Sequence, residues 1–392
     1  MALALLEMWR GAWRVALRGR PGHPALPARI VSIALLLALG PLVVACQSES
    51  GPQGKTPAAT TTPAPPTPTP IPFERPEVEA GVAFPQWNTA AYGAKDTAWR
   101  AGLLTLQQQT GARWVSIVVD LYQDGYQATT IHPGSGTPTP QALAEGIAYA
   151  HHLGLKVFVE PLLNVLNVPA GQDWSGLIYF DSSAQAQVWF DGYWAGYEPY
   201  VRVAQQAGAD QLGIGTELQA LEQQPASLWN TLISRERSVF TGKLTYDINW
   251  NSLSKPIPSW LSNPALDEIG VSEYMPVAPS PQALSADQIG AIWSASLLPV
   301  YDHFSEVTGK PLIFSEIGYR NATDALYRPW DHSTTAPADP ALQAAAYTAA
   351  AQAVFRDKHI VGLFFWAWDN GIFAPSPAAA AALKAQYLST AA

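Results

Sequence analysis

Two glutamates stand where apolar runs end. Pro311-Leu312-Ile313-Phe314-Ser315 leads into Glu316 with Gly318 at the turn beyond, and Leu212-Gly213-Ile214-Gly215-Thr216 leads into Glu217. Buried parallel strands read as near-continuous apolar runs, and an acid at the end of one is held rigidly where the strand leaves the core. Two carboxyls so placed match what glycosidic-bond cleavage needs. One donates a proton to the leaving oxygen, and the other faces the positive charge developing on the sugar. When the second is also a nucleophile, the two lie about 5–5.5 Å apart. Neighbouring acids also drive their pKa values apart, so one can hold a proton while the other is charged.

The elements that must position them are strands alternating with helices. Candidate strands are 80–84, 114–121, 156–161, 211–216, 244–249, 268–274, 311–315 and 361–366. Trp99, Leu103 and Leu106 share one face of the first helix, and Ile289, Trp293 and Leu297 one face of the sixth. Asp339-Pro340 reads as an N-cap with proline in the first turn, and Gly154 as a helix stop. The final helix is the Ala-rich tail from about Ser376. Eight strand–helix units predict a single (β/α)8 barrel over 77–392, of the α/β class. An open doubly wound sheet is weaker, because no glycine-rich phosphate loop follows the first strand.

Active sites of such barrels lie at the C-terminal strand ends. That rule selects Glu217 and Glu316 as catalytic, together with Glu160 after the third strand. It adds Asn249 and Trp250 after the fifth, Tyr274 after the sixth, and Trp366, Trp368 and Asp369 around the eighth. Tyr274 is placed to hydrogen-bond the nucleophile and stabilise its anion. Trp87, past the first strand, and Trp330, in the long connection over 319–339, serve either as sugar-stacking walls or as rim packing.

The first residues belong to export, not to the fold. Arg10, Arg14, Arg18, Arg20 and Arg29 precede an apolar run from Ile30 to Ala45, shorter than the roughly 20 residues that span a membrane. Leu42-Val43-Val44-Ala45-Cys46 resembles a bacterial lipobox, which implies lipidation at Cys46 and a signal peptide over 1–46. The start codon is Met1 or Met8. The Pro/Thr/Ser-rich stretch 47–76 cannot bury enough apolar surface to fold and reads as a disordered tether. A lipid anchor on the extracellular face of the bacterial membrane is therefore expected. Cys46 is the chain's one cysteine, which excludes an internal disulfide. Net charge is −9 with no basic run in the body, which argues against nucleic acid as a partner. The scattered histidines have no ligand spacing, so no metal and no organic cofactor is implied. A monomer acting on a polysaccharide or oligosaccharide is expected.

Gly215-Thr216-Glu217-Leu218 and Glu316-Ile317-Gly318-Tyr319-Arg320 together resemble glycoside hydrolase family 113. So do Tyr122-Gln123-Asp124, Gly154-Leu155-Lys156-Val157, Trp174-Ser175-Gly176, Pro329-Trp330, Gln343-Ala344 and Phe364-Phe365-Trp366-Ala367-Trp368-Asp369. The resemblance implies Glu217 as acid/base, Glu316 as nucleophile, Trp174 among the substrate-binding residues, and retaining, endo-acting hydrolysis of β-1,4-mannan or a related polysaccharide. Thr216 stands where many relatives in the wider clan have Asn, and Glu160-Pro161-Leu162-Leu163-Asn164 is less polar than expected of a mannanase. The alternative is a non-catalytic saccharide-binding surface lipoprotein, which would not need two acids. An esterase ranks last, since the chain has no Gly-x-Ser-x-Gly elbow.

Overall fold

The computed structural model describes residues 78–169, 171–369 and 371–389. The expected export signal, Cys46 and the tether over 47–76 lie outside the described residues. Among the described residues, eight strands pair in parallel: β1 (Glu79–Ala83), β2 (Trp114–Gln123), β3 (Lys156–Val165), β4 (Gln211–Thr216), β5 (Lys243–Asn249), β6 (Glu268–Glu273), β7 (Leu312–Ile317) and β8 (Ile360–Phe365). β1 pairs with both β2 and β8, so the sheet closes into a barrel. A two-residue strand, His132–Pro133, adds antiparallel to the end of β2.

The helices are α1 (Thr97–Thr110), α2 (Pro140–His152), α3 (Ser183–Ala207), α4 (Ala226–Val239), α5 (Ala286–Ile292), α6 (Leu298–Thr308), α7 (Pro340–Arg356) and α8 (Pro377–Ser389). Trp99, Leu103 and Leu106 are buried along α1. Asp339 caps α7 by accepting from the Leu342 N–H, and Gly154 ends the turn after α2 at φ 79°. A π-turn, Trp293–Leu297, joins α5 to α6 with Ile289, Trp293 and Leu297 all buried.

Two expectations are corrected. The fifth strand is followed by two 3-10 turns, Trp250–Ser254 and Ser259–Ser262, not by an α-helix. Pro256, Pro258 and Pro264 remove the donors a helical ladder would need. Stacked indoles fill the space instead: Trp260 lies 4.2 Å from Trp229 at 8°, with Tyr246 edge-on to both. The third strand does not stop at Pro161, so Glu160 sits inside the barrel and not at its mouth. Pairing of β3 with β4 is confined to Phe158 and Val159. Beyond them β3 needs no donor toward β4, which is why a proline is tolerated mid-strand.

Side chains on alternate strand positions fill the barrel in layers. At the N-terminal end the Lys243 ammonium bridges the Glu79 and Glu268 carboxylates, while Gln211 donates to Thr245 Oγ1 and Glu268. Above it, Trp114, Phe158, Ile313 and Phe364 form an apolar plug. Two residues further along their strands come buried polar groups: Ser116, Glu160 and Ser315, joined by Asp247 and Ser272. Gly81 leaves room for the plug, since a Cβ there would lie 2.2 Å from Phe364 Cδ1. Gly81→Ala is expected to cost about 1–3 kcal/mol by overpacking. The urea midpoint checks this, and an unchanged midpoint would show that Phe364 can move aside.

Candidate active site

Over the same span β7 carries one residue more than either neighbour. Gly270 pairs with Ile313 and Ser272 with Glu316, while Phe314 pairs with Leu363 and Ile317 with Phe365. A bulge of this kind re-aims a side chain. Ser315 and Glu316, consecutive in the chain, both turn inward because of it. β4 shows the same irregularity against β5, where Gly213 pairs with Thr245 and Thr216 with Asp247. Glu217 then takes φ 52°, a left-handed backbone that a glutamate adopts only when its surroundings hold it there. What holds it is its own N–H, donated to the Asp247 carbonyl at 2.9 Å, and the Gln219 N–H, donated to its carbonyl at 2.8 Å.

Donors converge on both carboxyls. Trp174 Nε1 donates to Glu217 Oε2 at 2.7 Å, and Asn249 Nδ2 donates to Glu217 Oε1 at 2.7 Å. The Tyr274 hydroxyl donates to Glu316 Oε2 at 3.0 Å. Both glutamates are half-buried and keep a face open to the cleft. Burial pushes the Glu217 carboxyl up, partly offset by the nearby Ser272 hydroxyl and by hydrogen bonds from Trp174 and Asn249. Burial pushes Glu316 further up, helped by the charges of Glu217, Asp247 and Glu160 and opposed by Tyr274. These donors favour the negative charge on Glu217 over Glu316. Positive charge developing on a bound sugar beside Glu316 is what would draw the anion there.

Several tryptophans follow the C-terminal strand ends. Trp366 follows β8 and donates its backbone N–H to the Ile317 carbonyl at 2.9 Å, and the Trp368 backbone N–H donates to the Ala83 carbonyl at 2.8 Å. Gly318 packs against the Tyr274 ring and the Trp366 carbonyl. Asp369 is exposed, with φ 56°. Trp250 and Trp330 stack on each other at 5.4 Å and 27°, with Trp330 41% exposed. The connection bearing Trp330 is pinned from beneath by buried Arg320, which donates to the Asp331 carbonyl at 2.7 Å and pairs with Asp324 at 3.2 Å. Trp87, 47% exposed, borders a cavity of about 390 Å³ with Asp120, Tyr122, Asn164 and Asp173. There Asp120 accepts from both the Tyr122 hydroxyl and the Asn164 amide.

Glu160, expected after the third strand, lies within it. It is buried in the barrel, Oε1 has no hydrogen-bond partner, and burial and the Asp247 charge push its carboxyl well up. Sequence reasoning missed Asp247 and Ser272 beneath the pair and the Asp120–Asn164 contact. The signal was present in β5, where Thr245, Asp247 and Asn249 alternate polar on one face.

The family model of Glycoside Hydrolase Family 113 matches residues 86–388. Among solved structures, a GH113 β-1,4-mannanase is similar at TM-score 0.66 and 22% identity, covering 80% of this chain and 99% of that one. The GH113 β-mannanase AaManA from Alicyclobacillus acidocaldarius is similar at TM-score 0.66 and 22% identity, over 80% and 97% of the two chains. A glycoside hydrolase family 5 mannosidase from Rhizomucor miehei shares the fold at TM-score 0.53 and 12% identity, over 81% and 94%. No curated protein matches the chain in sequence.

Beside the pair, buried Glu222 ties the β5–β6 connection to the loop that carries Glu217. It accepts from Ser252 Oγ at 2.8 Å and from the Tyr246 hydroxyl at 3.2 Å. Burial pushes its carboxyl up to about 7. The folded chain thus prefers it neutral. The stability this gives is complete below the unfolded carboxylate range and is lost as pH rises through about 7. Glu222→Gln, neutral at every pH, is expected to flatten that decline. Thermal midpoints measured from pH 5 to 8 check it, and equal slopes for the two proteins would contradict it.

Proposed function

This chain belongs to glycoside hydrolase family 113, and from that premise we propose that it cleaves β-1,4-mannan or a related β-linked polysaccharide internally, with retention of configuration. Glu217 is the acid/base and Glu316 the nucleophile. The observation that carries the reading is the pairing of these carboxyls at the mouths of β4 and β7, with Trp174 and Asn249 donating to one and Tyr274 to the other. In the first step Glu316 attacks the anomeric carbon while Glu217 gives its proton to the departing oxygen. In the second, Glu217 takes a proton from water, which displaces Glu316. Tyr274 stabilises the carboxylate of Glu316 before attack and again as it leaves.

In this reading Trp366 and Trp368 after β8, the stacked pair Trp250 and Trp330, and exposed Trp87 serve as walls of the cleft. Flat aromatic faces of this kind suit the apolar faces of successive sugars along a chain, which supports action within a polymer. The double displacement itself requires no cofactor. We further propose that the enzyme works as a monomer, tethered to the outer face of the cell membrane through lipidated Cys46 and the stretch over 47–76.

Glu316→Gln is expected to abolish release of reducing ends from β-mannan while leaving oligosaccharide binding intact. Turnover undiminished on every β-glycan of a panel would remove Glu316 from its role. Tyr274→Phe deletes a donor to the Glu316 anion, so the nucleophile's pKa rises. The acid limb of kcat/KM is expected to move to higher pH, with activity falling about tenfold or more. An unmoved limb would show that the phenol does not act on Glu316.

A further inference from the structure

Beneath Glu217 lies a second carboxyl that the mechanism above does not use. Asp247 is buried on β5, and its Oδ2 accepts from the Ser272 hydroxyl on β6 at 3.1 Å. Ser272 is also within hydrogen-bonding reach of the Glu217 carboxyl, so one hydroxyl stands between two acids. Asp247 Oδ1 has no hydrogen-bond partner, although Ser315 lies beside the carboxyl. The titratable groups facing Asp247 are Glu160 from β3, Glu217 at the end of β4, Glu222 beyond it, Tyr246 from its own strand, Tyr274 after β6 and Glu316 from β7. All are acids or phenols. A buried carboxyl in such company keeps its proton, because neither solvent nor a positive charge compensates the anion.

We propose that Asp247, as a neutral carboxylic acid, and Ser272 form a hydrogen-bond rotor that positions the proton of Glu217 and stabilises its carboxylate once that proton has left. The proposal rests on Glu217 being the acid/base. While Glu217 is protonated, the Ser272 hydroxyl donates to Asp247 Oδ2 across the 3.1 Å between them. As the C–O bond of the substrate breaks, its electron pair goes to the leaving oxygen, which takes the Glu217 proton. The Ser272 O–H then turns to donate to the Glu217 carboxylate, and the Asp247 proton, carried on Oδ2, turns about its C–O bond to donate to Ser272 Oγ. Asp247 keeps its proton throughout, and only hydrogen bonds exchange. Glu217 then accepts from Trp174, Asn249 and Ser272 together. When it later takes a proton from water, the rotor turns back. Asp247 and Ser272 are positioning residues, since both act through Glu217. The backbone bond from Glu217 N–H to the Asp247 carbonyl keeps acid and rotor in register.

The test uses the full chain with two β-mannosides, one with a good aryl leaving group that needs no proton and one with a poor leaving group that does. Ser272→Ala and Asp247→Ala are expected to lower kcat/KM on the poor leaving group by about tenfold or more and to change the good one little. Asp247→Asn, whose amide donates as the neutral acid does, is expected to recover most of what Asp247→Ala loses. Ser272→Ala removes a donor to the Glu217 anion, so the alkaline limb with the poor leaving group moves to higher pH. Equal losses on both leaving groups, or an asparagine variant no better than alanine, would overturn the rotor. If Asp247→Ala does not fold, the two leaving groups and the pH limb in Ser272→Ala decide the matter alone. Glu217→Gln is the control: a loss equal on both leaving groups in that variant refutes the acid/base assignment itself, and the rotor with it.

Discussion

Four carboxyl groups share the upper interior of one barrel: Glu160, Asp247, Glu217 and Glu316. They perturb one another, and the charges acting on them are negative. Isolated anions in such a place cost far more than the hydrogen bonds available can return. Most of the four must therefore hold protons, and any negative charge has to settle where donors gather. Those donors sit at the mouth, with Trp174, Asn249 and Ser272 around Glu217 and Tyr274 on Glu316. Glycosidic cleavage asks for this condition, one proton and one charge held between two acids that face the same bond.

The frame that sustains this is local irregularity on a regular barrel. An extra residue in β7 turns Glu316 inward beside Ser315, and the left-handed backbone at Glu217 aims the other carboxyl at the same space. Both features carry strain that an ordinary strand end would avoid. Packing below resists relaxation: the Trp114–Phe158–Ile313–Phe364 plug is close-fitting, and the Lys243 bridge to Glu79 and Glu268 ties three strands at the far end. Around the mouth, Arg320 and Glu222 fix the connections that bring Trp330 and Trp250 together.

The barrel was readable because its strands are apolar runs and its helices carry caps and buried faces, signals that are local. The positions of Glu217, Glu316, Asn249 and Tyr274 at strand ends were readable for the same reason, each standing where a run gives out. Glu160 was misplaced because proline at 161 looks like a strand end, and only the pairing of β3 with β4 explains why it is not. The missing fifth helix was foreshadowed by three prolines, but the Trp229–Trp260 stack that replaces it joins residues far apart in sequence. Asp247 and Ser272 lie on the inner faces of β5 and β6. What makes them matter is their meeting beneath Glu217, which depends on strand register and on bulges that leave no mark in composition.

The reading of Glu316 as the charged partner is tested most directly by trapping. In a 2-deoxy-2-fluoro-mannoside the fluorine destabilises the positive charge of both steps, but a good leaving group lets the glycosyl-enzyme form faster than it breaks down, so it accumulates. Digestion and mass spectrometry of the inactivated protein should find the sugar on the peptide containing Glu316, esterified to that side chain. A label on Glu217, or active turnover with no covalent adduct on any carboxyl, would contradict the assignment.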